Sequence, residues 1–146
     1  MISKYLEQFT CFQYKCNFPV KSTYKNITKY HVIYGTRHKD GLILMNDIMY
    51  KSRERFLQAE FAEGRLFDMR PSEEEKNREE FEKMILDVVK EYQPIKRKDI
   101  MIQSILEGIF CKYSDSDYNK TIKKLLQEDK LHKTDGKIEE AKFYIK

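Results

Sequence analysis

The stretch "SDSDYNKTIKKLLQEDKLHKTDGK", residues 114–137, decides the fold expected for the C-terminal half of the chain. Ser114 is followed three residues later by Asp117, and this spacing fits a capping box at the start of a helix. Further along, Asp135-Gly136 is a dipeptide typical of a tight hairpin turn. The stretch therefore predicts a helix followed by a two-stranded ribbon, and the apolar residues of that helix recur at helical spacing, as Tyr118, Ile122, Leu125 and Leu126.

Two more helices are predicted before this stretch. The first begins at Pro71-Ser72, where Glu75 occupies a capping-box position, and stops before Pro94; the second follows Lys98-Asp99. Three short helices followed by a ribbon is the order of a winged helix, a relative of the helix-turn-helix, which we predict for residues 72–146. The expected apolar stripes are Phe81, Met84, Ile85, Val88 and Tyr92 in the first helix, and Ile102, Ile105, Leu106 and Ile109 in the second.

Residues 1–61 are predicted to form a smaller unit, made of a strand hairpin and a helix. Alternating residues predict a strand over 12–20, with Phe12, Tyr14, Cys16 and Phe18 on one face. An apolar run predicts another strand over 30–34, and the polar segment 21–29 joins the two. Such a unit buries too little apolar surface to fold alone. Residues 62–71 are predicted to be a linker, so the fold class is α+β, a strand-hairpin and helix unit followed by a winged helix. The apolar positions of the predicted helix are Leu42, Met45, Ile48 and Met49.

Composition excludes several classes of protein. Of the 146 residues, 40% are hydrophobic and 36% are charged, and no apolar run approaches the roughly 20 residues that a membrane span requires. No apolar signal-peptide region follows Met1, so a cytoplasmic location is expected. The three cysteines lack CxxC spacing and are accompanied by only three histidines. They are interpreted as reduced thiols, and no metal site is predicted.

Sequence motifs for cofactor chemistry are absent. There is no GxGxxG, Walker A, HExxH or GxSxG pattern, and the five glycines do not cluster. Arg37, His38 and Asp40 could form a charged catalytic cluster beside a strand end, but a turn in which Thr36 or Asp40 caps the next helix explains the same residues. We therefore predict no catalytic residue, no cofactor and no enzyme activity.

The third helix of the predicted winged helix carries a basic face. Lys120 and Lys124 lie opposite its apolar stripe, and residues 94–146 hold 12 basic against 9 acidic side chains. Long basic donors and amides are what phosphates and base edges require, so double-stranded DNA is the expected partner. An ordinary lysine-rich solvent face is the competing interpretation. The predicted binding residues are Ser116, Asn119, Lys120, Lys123, Lys124 and Gln127 on the helix, with Lys133 and Lys137 on the ribbon.

The segment "KYHVIYGTRHKDGLILMNDIMYK", residues 29–51, resembles a block of the three-Cys-motif partner protein (TcmP) family. In that family a Tyr-His-rich strand leads to a His-x-x-Gly turn, here His38 to Gly41, and to a Met-bearing helix. The resemblance is to the C-terminal part of the family, a methyltransferase-like sheet edge with a winged-helix-like tail, which residues 73–146 match in order. The cofactor-binding half of such a sheet has no counterpart here. The resemblance therefore implies a structural turn at residues 36–38 and no binding of S-adenosylmethionine by this chain alone.

Three hypotheses about function remain open from the sequence. The first hypothesis is that the chain is a DNA-binding winged-helix protein, such as the recognition part of a nucleic-acid-modifying system. Alternatively, it is a truncated or split methyltransferase-like subunit that needs a partner protein to supply the cofactor domain. A third hypothesis is a protein-interaction winged helix whose basic face is incidental. The uncovered edge of the predicted strand hairpin also suggests a homodimer.

Overall fold

The computed structural model describes residues 7–8, 10–21, 28–62 and 71–146, and their side chains at 7–8, 10–19, 30–55 and 78–146. It is a mixed α+β structure with two small antiparallel sheets, as the sequence predicted at this level. In chain order the elements are β1 (Tyr14–Lys21), β2 (Thr28–Thr36), α1 (Lys39–Ala62), α2 (Pro71–Tyr92), β3 (Ile95–Lys96), α3 (Arg97–Ser104), a π-helical turn (Ile105–Ile109), α4 (Asp115–Gln127), β4 (His132–Lys133) and β5 (Lys142–Tyr144).

The first sheet is the hairpin of β1 and β2. Cys16 pairs with Tyr34 across the two strands, and Phe18 pairs with Val32. Because side chains alternate along a strand, Tyr14 and Cys16 both face the core, where they are buried. This is the face that the sequence predicted. Of the predicted polar connection, residues 22–27 lie outside the described residues, as do residues 63–70 of the predicted linker.

A tight turn joins β2 to α1. The Thr36 hydroxyl oxygen accepts a hydrogen bond of 3.1 Å from the backbone N–H of His38. Gly41 packs so closely on this turn that a Cβ atom at its position would lie 2.7 Å from the same hydroxyl oxygen. Arg37 also contributes, because its Nε donates a 2.9 Å hydrogen bond to the backbone oxygen of Cys11. Thr36, Arg37 and Gly41 therefore build the turn, as the structural interpretation of this segment expected.

The second sheet has the strand order β3–β5–β4. Phe143 in β5 pairs with Ile95 on one side and Lys133 on the other, and its side chain is fully buried. The predicted hairpin is confirmed in position. Its loop is wider than a two-residue turn, since its closing hydrogen bond, 2.9 Å long, runs from Thr134 N to Lys142 O.

The second predicted helix does not continue regularly through Ile109. α3 ends at Ser104, and a π-helical turn follows in which Gly108 has φ of +111°. The wider i→i+5 turn rotates the side chains that follow, and Leu106, predicted to lie in the core, is 38% exposed. Tyr92, at the last turn of α2, is 43% exposed and was wrongly assigned to the core stripe.

One hydrophobic core connects the N-terminal hairpin with the C-terminal helices. Leu42 of α1 and Cys16 of β1 belong to the same buried cluster as the side chains of α2, α3 and α4. Within this cluster Phe81 meets Tyr118 edge-on, with ring centroids 4.9 Å apart, and it stacks on the half-buried Tyr113 at 3.8 Å. The small N-terminal unit thus gains the burial that it lacks by itself. Within the described ranges, no helix combines the length and the apolar character that crossing a membrane requires.

Candidate nucleic-acid interface

The start of α4 is fixed by the capping box that the sequence predicted. The Ser114 hydroxyl oxygen accepts a hydrogen bond from Asp117 N at 3.3 Å, and Asp117 Oδ2 accepts one from Ser114 N at 2.8 Å. These two bonds satisfy backbone donors that have no partner within the helix. The sequence therefore determines where α4 begins, and with it which side chains share a face.

α4 is held against the preceding helices by its apolar side and by ion pairs with α2 and α3. Tyr118, Ile122 and Leu125 are fully buried. Arg97, at the start of α3, donates two hydrogen bonds of 2.7 and 2.8 Å to Oδ1 of Asp115. The acidic first turn of α4 is thus partly neutralised by a guanidinium group, while the opposite side of the helix faces solvent.

Four of the predicted binding residues form one exposed row, which we call the α4 stripe. Its members are spaced by four, three and four positions, so they fall on one side of the helix over about 16 Å. Among the described residues, neither Lys120 nor Lys123 takes part in an ion pair or a side-chain hydrogen bond. The stripe therefore presents two free ammonium groups between a hydroxyl and an amide. Its residues are Ser116, Lys120, Lys123 and Gln127.

The other two predicted residues of α4 lie at the flanks of the stripe and contact the protein itself. Lys124 Nζ bonds Glu82 of α2 and lies 3.7 Å from Glu128. The hydrogen bond to Glu82 is the main cause of the raised pKa of Lys124. Asn119 donates a weak 3.4 Å bond to Asp115 Oδ2. Glu82 is 42 residues distant in sequence, so no helical wheel of α4 could have shown this pairing.

The two predicted residues of the hairpin are placed differently from each other. Lys133 Nζ donates a 2.8 Å hydrogen bond to Gly136 O and so supports the β4–β5 turn. Lys137 is exposed, and its backbone oxygen accepts bonds from two following N–H groups. The neighbouring His132 ring packs on Tyr144 at 5.6 Å, with Nδ1 3.5 Å from Asp129. Of these side chains, Lys137 is the one without a bonding role inside the hairpin.

A cleft of about 590 Å³ lies beside α4, between it and helices α1 and α2. Lys120 and Lys124 line one wall, whereas Glu54 and Glu82 line the others, together with the aromatic rings of Tyr50 and Phe81. Charges of both signs alternate around this cleft, so it does not select for an anion. Arg78 and Lys112 also line the cleft, so its walls carry both charges, whereas the α4 stripe carries basic charge alone.

The side chains that could carry other chemistry are the cysteines and His38. Cys16 and Cys111 are buried, and burial raises the pKa of Cys16 to about 12 and that of Cys111 to about 11, whereas Cys11 is exposed. In the part of the chain that the structure describes, no three His, Cys, Asp or Glu side chains converge as a metal site. His38 is exposed in the turn before α1 and meets no acidic partner among the described residues.

The chain matches no protein-family model, no curated protein and no solved structure. The resemblance of residues 29–51 to the TcmP family therefore stays a prediction made from the sequence. What can be argued about function comes from the geometry of α4 and of the elements around it.

Proposed function

We propose that residues 72–146 form a winged helix that binds double-stranded DNA through the α4 stripe, with the β4–β5 hairpin as the wing. No enzyme activity is assigned to the chain in this proposal. The observation that carries it is the α4 stripe itself, where two exposed lysines, with no ion pair among the described residues, and two polar side chains lie opposite the buried face of the helix.

The order and pairing of the elements support this proposal. α2, β3, α3 and α4 are followed by the β4–β5 hairpin, and β5 lies between β3 and β4 in the sheet. In a helix-turn-helix the second helix enters the major groove, and α4 occupies that position after α3. The α4 stripe is about 16 Å long. This length corresponds to about five base pairs, since successive base pairs are spaced by roughly 3.4 Å.

The arrangement of charges also supports the proposal. The acidic side chains near the α4 stripe are mostly engaged: Asp115 pairs with Arg97, Asp117 caps the helix, and Glu128 pairs with Lys130. Lys120 and Lys123 are exposed and, within the described ranges, have no acidic partner, so they can meet phosphates or base edges. Gln127 adds an amide that can donate and accept at a base edge.

The test is fluorescence anisotropy of labelled duplex DNA over a series of salt concentrations. Each phosphate contact releases condensed counterions, so the log–log slope of affinity against salt reports the number of contacts. In the double variant Lys120→Ala/Lys123→Ala we expect weaker binding and a slope flattened by about 1.8, that is about 0.9 for each lysine.

A matched control removes two lysines from another exposed surface. Lys83 and Lys90 lie on α2, are exposed, and are separated by two helical turns. The double variant Lys83→Ala/Lys90→Ala loses the same charge, yet we expect its slope to stay that of the wild type. A wild-type chain that binds no duplex at low salt contradicts the proposal. So does an equal flattening in both variants, because it reflects net charge alone.

A further inference from the structure

α1 carries an exposed row of side chains on the side that faces away from the core. Leu44 is 62% exposed and Ile48 is 47% exposed, although large apolar side chains are otherwise mostly buried among the described residues. Helical spacing places them in line with polar residues toward both ends of the helix. We call this row the α1 stripe, and its residues are Asp40, Leu44, Ile48, Lys51, Ser52 and Arg55.

The charges of the α1 stripe are arranged in a self-complementary order. Its N-terminal end is acidic, with Asp40, and its C-terminal end is basic, with Lys51 and Arg55; the two apolar side chains lie between these ends. An interface around a two-fold axis pairs one surface with an identical copy in the opposite direction. The acidic end of one α1 then meets the basic end of the other.

The distances along the helix fit this pairing. With Ile48 on the axis, Asp40 lies about 12 Å from it in one direction, and Arg55 about 10.5 Å in the other, at 1.5 Å per residue. Asp40 of one copy and Arg55 of the second are therefore offset by only about 1.5 Å along the helix. The Asp40 side chain is 83% exposed despite its contact with Lys98, so its carboxylate can accept a second cation.

We propose that the chain self-associates through an antiparallel α1–α1 contact, with Ile48 at the two-fold axis and Asp40–Arg55 ion pairs at both ends. The partner that binds the α1 stripe is a second copy of this chain. Two apolar residues from each copy make a small contact, so the dimer is weak and forms in the micromolar range. This proposal does not rest on DNA binding and involves no residue of the α4 stripe.

The test uses sedimentation equilibrium of the whole chain over about 10 to 500 μM, the range suited to a small, partly polar interface. We expect the weight-average mass of the wild type to rise toward twice the 17.7 kDa of one chain. Ile48→Glu and Ile48→Lys are each expected to stay at the mass of one chain, since like charges meet at the axis. An equimolar mixture of these two variants is expected to regain the dimer mass.

The equimolar mixture of the two Ile48 variants distinguishes a two-fold contact at Ile48 from non-specific association. Leu106→Glu serves as the matched control, because Leu106 is a partly exposed apolar residue on the π-helical turn, and its replacement should leave the dimer intact. Thermal melting shows that each variant remains folded. A monomeric wild type at the highest concentration, dimers in both Ile48 variants, or a mixture that stays monomeric overturns the proposal.

Discussion

The side chain of Asn46 in α1 connects two backbone groups near Tyr113, more than sixty residues further along the chain. Its Nδ2 donates a 2.9 Å hydrogen bond to Tyr113 O, and its Oδ1 accepts a 2.7 Å bond from Cys111 N. Asn46 is completely buried, and its bond to Cys111 N is buried with it, whereas the bond to Tyr113 O is partly buried. This amide therefore fixes the segment that leads into α4, and with it the orientation of the α4 stripe.

Replacing Asn46 with Ala is expected to destabilise the protein strongly. The substitution leaves the buried N–H of Cys111 and the partly buried C=O of Tyr113 without this partner, and the expected loss in the free energy of unfolding is about 3 kcal/mol. Urea denaturation followed by circular dichroism measures it. Asn119→Ala is the matched control, since that partly exposed amide makes one 3.4 Å contact and its loss should change stability by about 0.5 kcal/mol or less. Equal effects of the two substitutions would contradict the role given to Asn46.

Replacing Tyr118 with Phe is expected to preserve or increase stability. Burial raises the pKa of Tyr118, and the Ser104 side chain lowers it by less; among the residues that the structure describes, the Tyr118 hydroxyl has no hydrogen-bond partner of normal geometry. The Ser104 hydroxyl instead donates to Ile100 O at 2.8 Å. Removing an unsatisfied buried hydroxyl while keeping the ring should change the free energy of unfolding by about 0 to +1 kcal/mol. A loss above about 1.5 kcal/mol would show that the hydroxyl is bonded.

The buried thiols predict a loss of stability at alkaline pH. In the unfolded chain they lose protons from about pH 9 upward, whereas the folded chain keeps them until about pH 11 for Cys111 and about pH 12 for Cys16. The unfolded state then binds fewer protons, so the free energy of unfolding falls as pH rises above 9, by up to about 1.4 kcal/mol per pH unit for each thiol. Denaturation at several pH values measures this slope.

Two variants test whether the loss of stability at alkaline pH comes from the buried thiols. Cys111→Ala should give a shallower slope above pH 9, whereas Cys11→Ser, at an exposed position, should leave the slope unchanged. Below pH 9 the protonation of these thiols is the same in both states, so neither variant should alter the pH dependence there. A slope that Cys111→Ala does not reduce would assign the alkaline loss to other groups.

Lys123 and Lys124 are neighbours of equal charge whose surroundings differ, which makes them a matched pair. Lys124 is engaged by Glu82 and Glu128, while Lys123 is exposed on the α4 stripe. If DNA meets that stripe, Lys123→Ala should flatten the salt dependence by about 0.9 and Lys124→Ala by clearly less. Duplex anisotropy over a salt series compares them directly. A larger effect at Lys124 would place the contact on the cleft side of α4.

Much of the local architecture could be predicted from the sequence, because it depends on neighbours within a few residues. The Ser114–Asp117 capping box and the alternation of Tyr14 and Cys16 are local patterns, and the structure confirms both. The pairing of β4 with β5 on either side of Gly136 is also confirmed, although the loop is wider than the tight turn expected from Asp135-Gly136. The same locality placed Lys120 and Gln127 on the exposed side of the helix, whereas the structure puts Lys123 in that row and Lys124, which the sequence had placed there, at its flank.

Contacts between segments that are distant in sequence determined the features that the sequence did not predict. Ile48 fits an apolar helical pattern, yet it faces solvent, because the side of α1 that is covered is set by the segment near Cys111 that Asn46 binds. Lys124 resembles Lys123 in sequence and differs from it through Glu82 on another helix. Periodicity determines which side chains share a face, and tertiary packing determines which face is buried and which charge is paired. The sequence by itself thus determined the elements and their faces, whereas the tertiary structure decided which of those faces is open to a partner.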